Sequence, residues 1–300
     1  DRTNGEGYIV PAHGELLHLV GCSRGVWKSR DLGATFEKTG ENDTGGFAGS
    51  WSSMCMDPSG SGRLVVFSMY GAVAVTLDGG ATWRRYTSIS PATTDWGDVD
   101  WDDPQAQTVM QTNHERSPGI HVSSDGGQTW QPLVPDRSYK DGLGVFDSRT
   151  ILHSETNLIE RSEDLGQTWK TVAKMNLQTI VLRKFKGVGY LVSDRGLLAS
   201  ADKGRTWKVQ GAPVDDPRVL AGPYFGRNEN HIFLVGQRGI HETTDGARTW
   251  KVIPLPAAAM AKFQADAGKG LVGAMMGYDP KADIFYATVS GFRVIFRYER

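Results

Sequence analysis

One short phrase occurs six times in this chain of 300 residues, and it constrains the fold more than any other feature. The pattern is Ser/Thr-x-Asp-x-Gly-x-Thr-Trp, with small departures such as Phe36 at the end of the first copy. Its central acids are Asp31, Asp78, Asp125, Asp164, Asp202 and Asp245. A short sequence that recurs at a steady period indicates a repeat architecture, in which each copy belongs to one supersecondary unit.

The period of the phrase predicts the type of unit. Successive aspartates are 47, 47, 39, 38 and 43 residues apart, which is the length of a four-stranded propeller blade. Residues 258–300 follow the last copy and have the length of one more unit. We therefore expect an all-β fold: a single seven-bladed β-propeller of four-stranded antiparallel blades, with the phrase in each turn between strands 3 and 4. The predicted domain is 1–300, with blades at about 4–40, 47–87, 95–134, 142–173, 179–210, 218–254 and 260–300.

Hydrophobic alternation inside each unit predicts the strands. In the fifth unit the predicted strands are 180–185, 189–193, 197–201 and 206–209. No segment shows a sustained helical period, so little α-helix is expected.

The phrase is predicted to be structural. Its Asp carboxylate can accept backbone N–H groups in a hairpin turn, Gly supplies a positive φ, and the Trp packs between blades. Six metal sites are the alternative, but each copy supplies one dependable acid, whereas hard cations prefer six or more oxygens. We therefore predict no metal site and no cofactor.

Composition limits the partners and the location. The 33 basic and 34 acidic residues leave a net charge of −1, which argues against nucleic-acid binding. No run of 18 apolar residues occurs, so no membrane span is expected. The sequence starts at Asp1 without Met, which is consistent with a processed secreted or periplasmic protein. A monomer is expected.

The two cysteines, Cys22 and Cys55, fall in the first two predicted blades. Neighbouring blades can bring them into a disulfide, which would favour an oxidising compartment. The alternative is a pair of buried free thiols. Neither is in a CxxC arrangement, so redox or zinc chemistry through cysteine is not expected.

Propeller topology indicates which loops carry function. Turns between strands 2 and 3, and links from strand 4 to the next strand 1, lie on the face opposite the repeated phrase and line the central funnel. Arg24, Arg195 and Arg238 share one position in three such turns. Together they can bind a carboxylate or sulfate; the alternative is that each is an ordinary polar turn residue.

A candidate catalytic cluster lies in the third unit. His114 and Glu115 occupy a turn between strands 2 and 3 and are expected beside Asp98 and Asp100. A histidine next to carboxylates can act as a general acid or base. Asp98 and Asp100 alternate along a strand, so they share a side and raise each other's pKa. The alternative is an ordinary turn, since Asp102-Asp103-Pro104 follows directly.

Other side chains on the same face are candidates for substrate contact. Tyr70 can serve as a proton donor or acceptor. Trp51 and Trp96 offer stacking surfaces for a sugar ring, and Arg116 is a basic contact beside them. Most other histidines lie in or beside strands and are expected to be structural.

The six copies resemble the Asp-box, the BNR or sialidase-type repeat. That resemblance implies a β-propeller, but the superfamily hosts unlike functions. Its sialidases carry an Arg-Ile-Pro motif near the start, whereas residues 7–11 here are Gly-Tyr-Ile-Val-Pro, so sialidase activity is not expected. Xyloglucan-cleaving relatives carry two propellers, and this chain has the length of one.

Two functions from different classes follow. The first is a secreted carbohydrate-directed protein, a glycoside hydrolase or anionic-polysaccharide lyase acting on an oligosaccharide or polysaccharide in the funnel. The second is a non-catalytic protein-binding propeller, similar to the photosystem II assembly factor family, which presents an arginine-bearing face to partner proteins.

Overall fold

The structure is a computed structural model. It describes residues 7–12, 15–20, 25–39, 50–69, 73–87, 89, 94–253, 256–257, 260–261, 274–279, 281–289 and 295–299. These residues form antiparallel sheets in which each strand pairs with the next one along the chain. Among them, no helix is long and apolar enough to cross a membrane.

Six of the sheets have four strands each and are called blades 1 to 6. The first three are β1 (Gly7–Ala12), β2 (Glu15–Val20), β3 (Gly25–Ser29) and β4 (Glu37–Thr39); β5 (Ser50–Met56), β6 (Leu64–Met69), β7 (Ala74–Thr76) and β8 (Arg84–Arg85); and β9 (Gly97–Val99), β10 (Val109–Thr112), β11 (Ile120–Ser123) and β12 (Gln131–Pro132). The next three are β13 (Gly142–Val145), β14 (Ile151–Glu155), β15 (Leu158–Ser162) and β16 (Lys170–Lys174); β17 (Leu177–Phe185), β18 (Val188–Ser193), β19 (Gly196–Ser200) and β20 (Lys208–Gln210); and β21 (Val219–Phe225), β22 (Ile232–Gly236), β23 (Gly239–Thr243) and β24 (Lys251–Ile253).

The prediction of seven four-stranded blades is wrong. The described residues form six blades, and the chain after them forms a last sheet of three strands, β25 (Ala274–Asp279), β26 (Ile284–Val289) and β27 (Ile295–Glu299). The prediction assumed that every stretch of about 43 residues builds the same unit. The last stretch has no copy of the repeated phrase, and therefore no box turn that leads into a fourth strand. Its inner strand β25 lies beside β1, which brings the two ends of the sheet series together.

The hydrophobic core is a series of clusters between neighbouring blades. Between blades 2 and 3, for example, Phe67 and Val65 pack with Val99 and Val109. Between blades 3 and 4, Met110 packs in one cluster with Leu143. Because each blade has a neighbour on both faces, every residue of β10 and β11 is buried.

Each box turn is held by its own polar groups. In the third copy, Asp125 accepts the Ser123 hydroxyl at 2.8 Å and, at 2.9 and 2.6 Å, the backbone N–H and hydroxyl of Thr129. The Thr129 hydrogen bonds are the main reason why the pKa of Asp125 is lowered to about 2. Trp130 donates its indole N–H at 2.8 Å to the carbonyl of Thr87, just beyond blade 2. These contacts close the turn and join it to the preceding blade.

Candidate functional site

The strand order defines two faces of the ring. The box face carries the Asp-box turns and the turns between strands 1 and 2, because antiparallel strands reverse direction at each turn. The opposite face carries the turns between strands 2 and 3 and the links between blades. The first strands of blades 2 to 6 contact one another in sequence and surround a central channel.

Asp98 lies inside this channel and is held on three sides. Its Oδ2 accepts the backbone N–H of Val145 at 2.7 Å, and its Oδ1 accepts the thiol of Cys55 at 3.1 Å. The ammonium of Lys184 is 3.6 Å from Oδ2 and also donates to the carbonyls of Val99, at 2.7 Å, and Val145. This arrangement joins the first strands of blades 2, 3, 4 and 5. Asp98 is only 4% exposed, so its polar contacts serve the channel wall.

Asp100 lies just beyond β9 and is also buried. Burial raises the pKa of its carboxyl group, and the ammonium of Lys184 opposes that shift. Its Oδ1 accepts the backbone N–H of Asp102 at 3.1 Å, as in an Asx turn. Asp100 thus takes part in the turn between strands 1 and 2, which lies on the box face.

Cys55 is a free, buried thiol, and burial raises its pKa. It donates to Asp98 and accepts the indole N–H of Trp101 at 3.3 Å. Cys22, which would be its partner in the disulfide considered from the sequence, lies outside the described residues.

A cavity of about 140 Å³ occupies the channel toward the box face. Its walls include Met54, Trp101, Lys184, Tyr224 and Phe285. The predicted ligand-binding turns, between strands 2 and 3, lie at the other end of the channel, on the face opposite the boxes.

His114 lies on the opposite face and pairs with Asp95. Nδ1 of His114 is 2.8 Å from Oδ2 of Asp95, which belongs to the link before β9. The ring of Tyr139 packs edge-on against the ring of His114, with 5.7 Å between the two ring centroids. Glu115 is 70% exposed, and its Oε2 is 3.9 Å from Nε2 of His114. In the structure His114 pairs with the carboxylate of Asp95, and Asp98 lies in the channel wall.

A second polar cluster lies beside this pair, where blade 4 meets the opposite face. The ligand atoms of Asp141, His153 and Glu155 are within 4.8 Å of one another. Asp141 lies in the link before β13, His153 in β14, and Glu155 at the end of β14. His153 is fully buried, whereas Asp141 and Glu155 are half-buried.

Arg195 and Arg238 occupy equivalent places on the opposite face. Ser193 pairs with Gly196, and Gly236 pairs with Gly239, so each arginine is the second residue of a two-residue turn. Both glycines have a positive φ, 127° and 145°, which a two-residue turn uses at its end. Both arginines are exposed; Arg238 is 3.0 Å from a fully exposed Asp215, and Arg195 has no ionic partner among the described residues.

The other predicted contact residues are placed as follows. Trp96 packs in the cluster between blades 3 and 4, and its indole N–H donates to the carbonyl of Asp141 at 3.3 Å. Arg116 is exposed in the turn with Glu115. Tyr70, Arg24 and the side chain of Trp51 lie outside the described residues.

Three residues at the centre of these polar groups, Asp95, Asp141 and Lys184, were not among the predicted site residues, although Asp95 and Asp141 fall in loops that the sequence places on this face. Asp95 and Asp141 occupy the corresponding position in two links, two and one residues before the first strands of blades 3 and 4. That parallel was visible in the sequence. Lys184 gave no such signal, because its partners come from the first strands of two other blades.

Comparison with known proteins agrees with the repeats. The model of the BNR/Asp-box repeat family matches residues 121–132, around the third copy of the phrase. Among curated proteins, no sequence matches the chain.

Similar solved structures are propellers of this type. YCF48 bound to a D1 peptide is 16% identical with a TM-score of 0.57, and the alignment covers 99% of this chain and 94% of that one. YCF48 from Cyanidioschyzon merolae is 16% identical with a TM-score of 0.56, covering 98% and 96%. An ancestral GH74 enzyme is 13% identical with a TM-score of 0.54, covering 99% of this chain but 45% of that enzyme. At these identities the likeness shows the fold alone.

Proposed function

Because the chain is a β-propeller built from BNR/Asp-box repeats, we propose that it is a binding propeller that takes an acidic peptide segment of a partner protein on the face opposite the boxes. One observation carries this proposal. Arg195 and Arg238 occupy the same position in the two-residue turns of neighbouring blades, and both side chains are exposed. A guanidinium group binds a carboxylate through two parallel hydrogen bonds, so two such turns suit a segment with several carboxylates.

The two arginine turns differ in their local charges. Arg238 is 3.0 Å from the exposed carboxylate of Asp215, whereas Arg195 has no ionic partner among the described residues. A peptide carboxylate would replace Asp215 at Arg238 and bind Arg195 directly, since complementary potentials fix register and speed association. YCF48, which has a similar single ring, was solved with a bound peptide.

The contacts of Asp98 weigh against a hydrolase in the funnel. A glycosidase needs two carboxylates free to exchange a proton or attack the sugar. Asp98 instead accepts hydrogen bonds from Val145 and Cys55 and lies beside Lys184. The Asp98 carboxylate is therefore not free to take part in glycoside hydrolysis.

Fluorescence anisotropy tests the proposal. The probe is a labelled ten-residue Asp/Glu-rich peptide with a free C-terminus; a Lys-rich peptide of equal length is the comparison. We expect Arg195→Ala with Arg238→Ala to weaken binding of the acidic peptide at least tenfold. Arg205→Ala is the matched control, because Arg205 is 64% exposed on the box face. Equal binding of both peptides, or unchanged binding by the double variant, would overturn the proposal.

Carbohydrate cleavage is the second candidate, and the Asp95–His114 pair favours it. A carboxylate that holds a histidine ring can support general base catalysis, and Tyr139 lies against the same ring. The test is a panel of neutral, sialylated and uronate-containing glycans, followed by reducing-end release and absorbance near 235 nm. Turnover that is lost in His114→Ala would favour this function over peptide binding.

Secretion or export to the periplasm remains a proposal as well. Fractionation of cells that express the protein would test it.

A further inference from the structure

His153 differs from the other buried histidines in what surrounds its ring. Its Nε2 is 3.0 Å from Oδ2 of Asp141, and its Nδ1 is 3.2 Å from Oε2 of Glu160. A neutral imidazole has one N–H donor and one lone pair, so it can donate to only one of these carboxylates. The second nitrogen then directs its lone pair toward another negative oxygen. A positive species at the second nitrogen, either a second proton or a metal ion, resolves this conflict.

The ring of His231, which is also buried, has no such conflict between its two nitrogens. His231 Nε2 is 2.8 Å from a carboxylate oxygen of Glu242, while its Nδ1 accepts the backbone N–H of Arg227 at 3.2 Å. One donor and one acceptor match a neutral ring. The same is not true of His153, although both rings are buried.

The contacts of Glu160 indicate which nitrogen of His153 carries its proton. Glu160 also lies 2.8 Å from the guanidinium of Arg137, which holds the carboxylate in place against Nδ1. A carboxylate that accepts Nδ1–H and leaves Nε2 free is the arrangement that orients metal-binding histidines. Nε2 then lies 3.0 Å from Asp141, and the carboxylate of Glu155 completes the group.

The charges of the group favour a divalent cation. With a neutral ring, the carboxylates of Asp141, Glu155 and Glu160 and the guanidinium of Arg137 leave two negative charges. Such an excess is costly in a half-buried position unless a cation offsets it. The side-chain carboxylate of Glu155 has no hydrogen-bond partner among the described residues, so it is available as a ligand.

We propose that Asp141, His153 and Glu155 form a zinc site on the face opposite the boxes. One imidazole nitrogen and two carboxylates suit zinc, and a water molecule would supply the fourth ligand of a tetrahedral site. With zinc–ligand distances of about 2.0–2.1 Å, two ligand atoms of a tetrahedral site are about 3.4 Å apart, so a cluster that spans up to 4.8 Å contracts by about 1.4 Å when the metal binds. Glu155, half-buried at the end of its strand, is the side chain free to make that adjustment.

Zinc titration of the whole chain tests this site. The protein is stripped with EDTA, dialysed, and titrated with zinc chloride in a calorimeter; bound zinc is then counted by mass spectrometry. We expect one zinc per chain, with affinity lowered at least tenfold in Glu155→Gln and in Asp141→Asn. Glu160→Gln should weaken binding 10- to 100-fold without removing a ligand, as expected for a residue that orients a ligand.

Glu115→Gln is the matched control, since Glu115 lies on the same face, is 70% exposed and is outside the cluster. Circular dichroism checks that each variant is folded, and the visible spectrum of the cobalt form should show low-symmetry coordination that Glu155→Gln abolishes. The proposal is overturned if the wild type binds no zinc, or if zinc binding is unchanged in Glu155→Gln and Asp141→Asn. It is equally overturned if histidine ¹⁵N spectra show both nitrogens of His153 protonated in the presence of excess zinc.

Discussion

Single residues in this ring differ in function according to their surroundings, even when their side chains are identical. Asp95 is half-buried against His114, while Asp98, three residues later, is enclosed by a thiol, a backbone N–H and an ammonium group. Alternation along the strand placed Asp98 and Asp100 together in the sequence argument. It could not show that the partners of Asp98 would come from three other blades.

Asp100 allows a test at this scale. Burial raises the pKa of its carboxyl group, so the folded protein retains this proton to a higher pH than the unfolded chain, whose Asp pKa is about 3.9. Ionisation therefore costs stability as the pH rises above about 4. Asp100→Asn cannot ionise and keeps Oδ1 as an acceptor for the Asp102 N–H. We expect the variant to be more stable than the wild type at pH 7 and equal to it below about pH 3.5.

Urea unfolding at several pH values measures this difference. Asp102→Asn is the control, since Asp102 is exposed and a surface change of this kind alters stability by less than about 0.5 kcal/mol. A loss of stability at pH 7 in Asp100→Asn would show that the ionised carboxylate is needed, contrary to this account.

Strands and turns were the elements most open to prediction. The predicted strands 180–185 and 189–193 fall within β17 and β18, because alternation and Gly-centred turns are local signals. The box turns depend on groups two to four residues apart, such as Ser123, Asp125 and Thr129. The number of strands in the last sheet depends on a turn that its sequence lacks, so the spacing alone gave the wrong answer.

Contacts between strands of different blades could not be predicted from the sequence, and those of Lys184 are the clearest case. Its ammonium joins β17 to the carbonyls of Val99 and Val145 and lies beside Asp98. We expect Lys184→Met to lower the free energy of unfolding by about 3–5 kcal/mol, because it leaves a buried carboxylate without its cation. Lys186→Met is the matched control: Lys186 is 70% exposed and meets Glu229 at the surface, so its loss should cost less than about 1 kcal/mol. Equal unfolding midpoints in urea for the two variants would contradict the role given to Lys184.

The whole ring presents two faces with different characters. On the box face the polar groups of each turn are hydrogen-bonded within the turn, as Asp125 is to Ser123, or to the preceding blade, as Trp130 is to Thr87. The opposite face carries exposed arginines on blades 5 and 6 and a histidine–carboxylate region on blades 3 and 4. The sequence predicted that Arg195 and Arg238 lie on this face, whereas the proposed zinc site depends on a link and a strand that meet only in the folded blade. Binding at the arginine side should weaken as salt is raised, since the arginines are exposed.

Hydrogen–deuterium exchange of the chain with and without a saturating Asp/Glu-rich peptide tests the proposed binding face most directly. We expect slower exchange in the two arginine turns, 193–196 and 236–239, and unchanged exchange in the box turns of the same blades, 200–207 and 243–250. Protection confined to the box turns, or to the channel mouth around 57–60 and 226–231, would contradict it. The same would follow if the two arginine turns exchanged at equal rates with and without bound peptide.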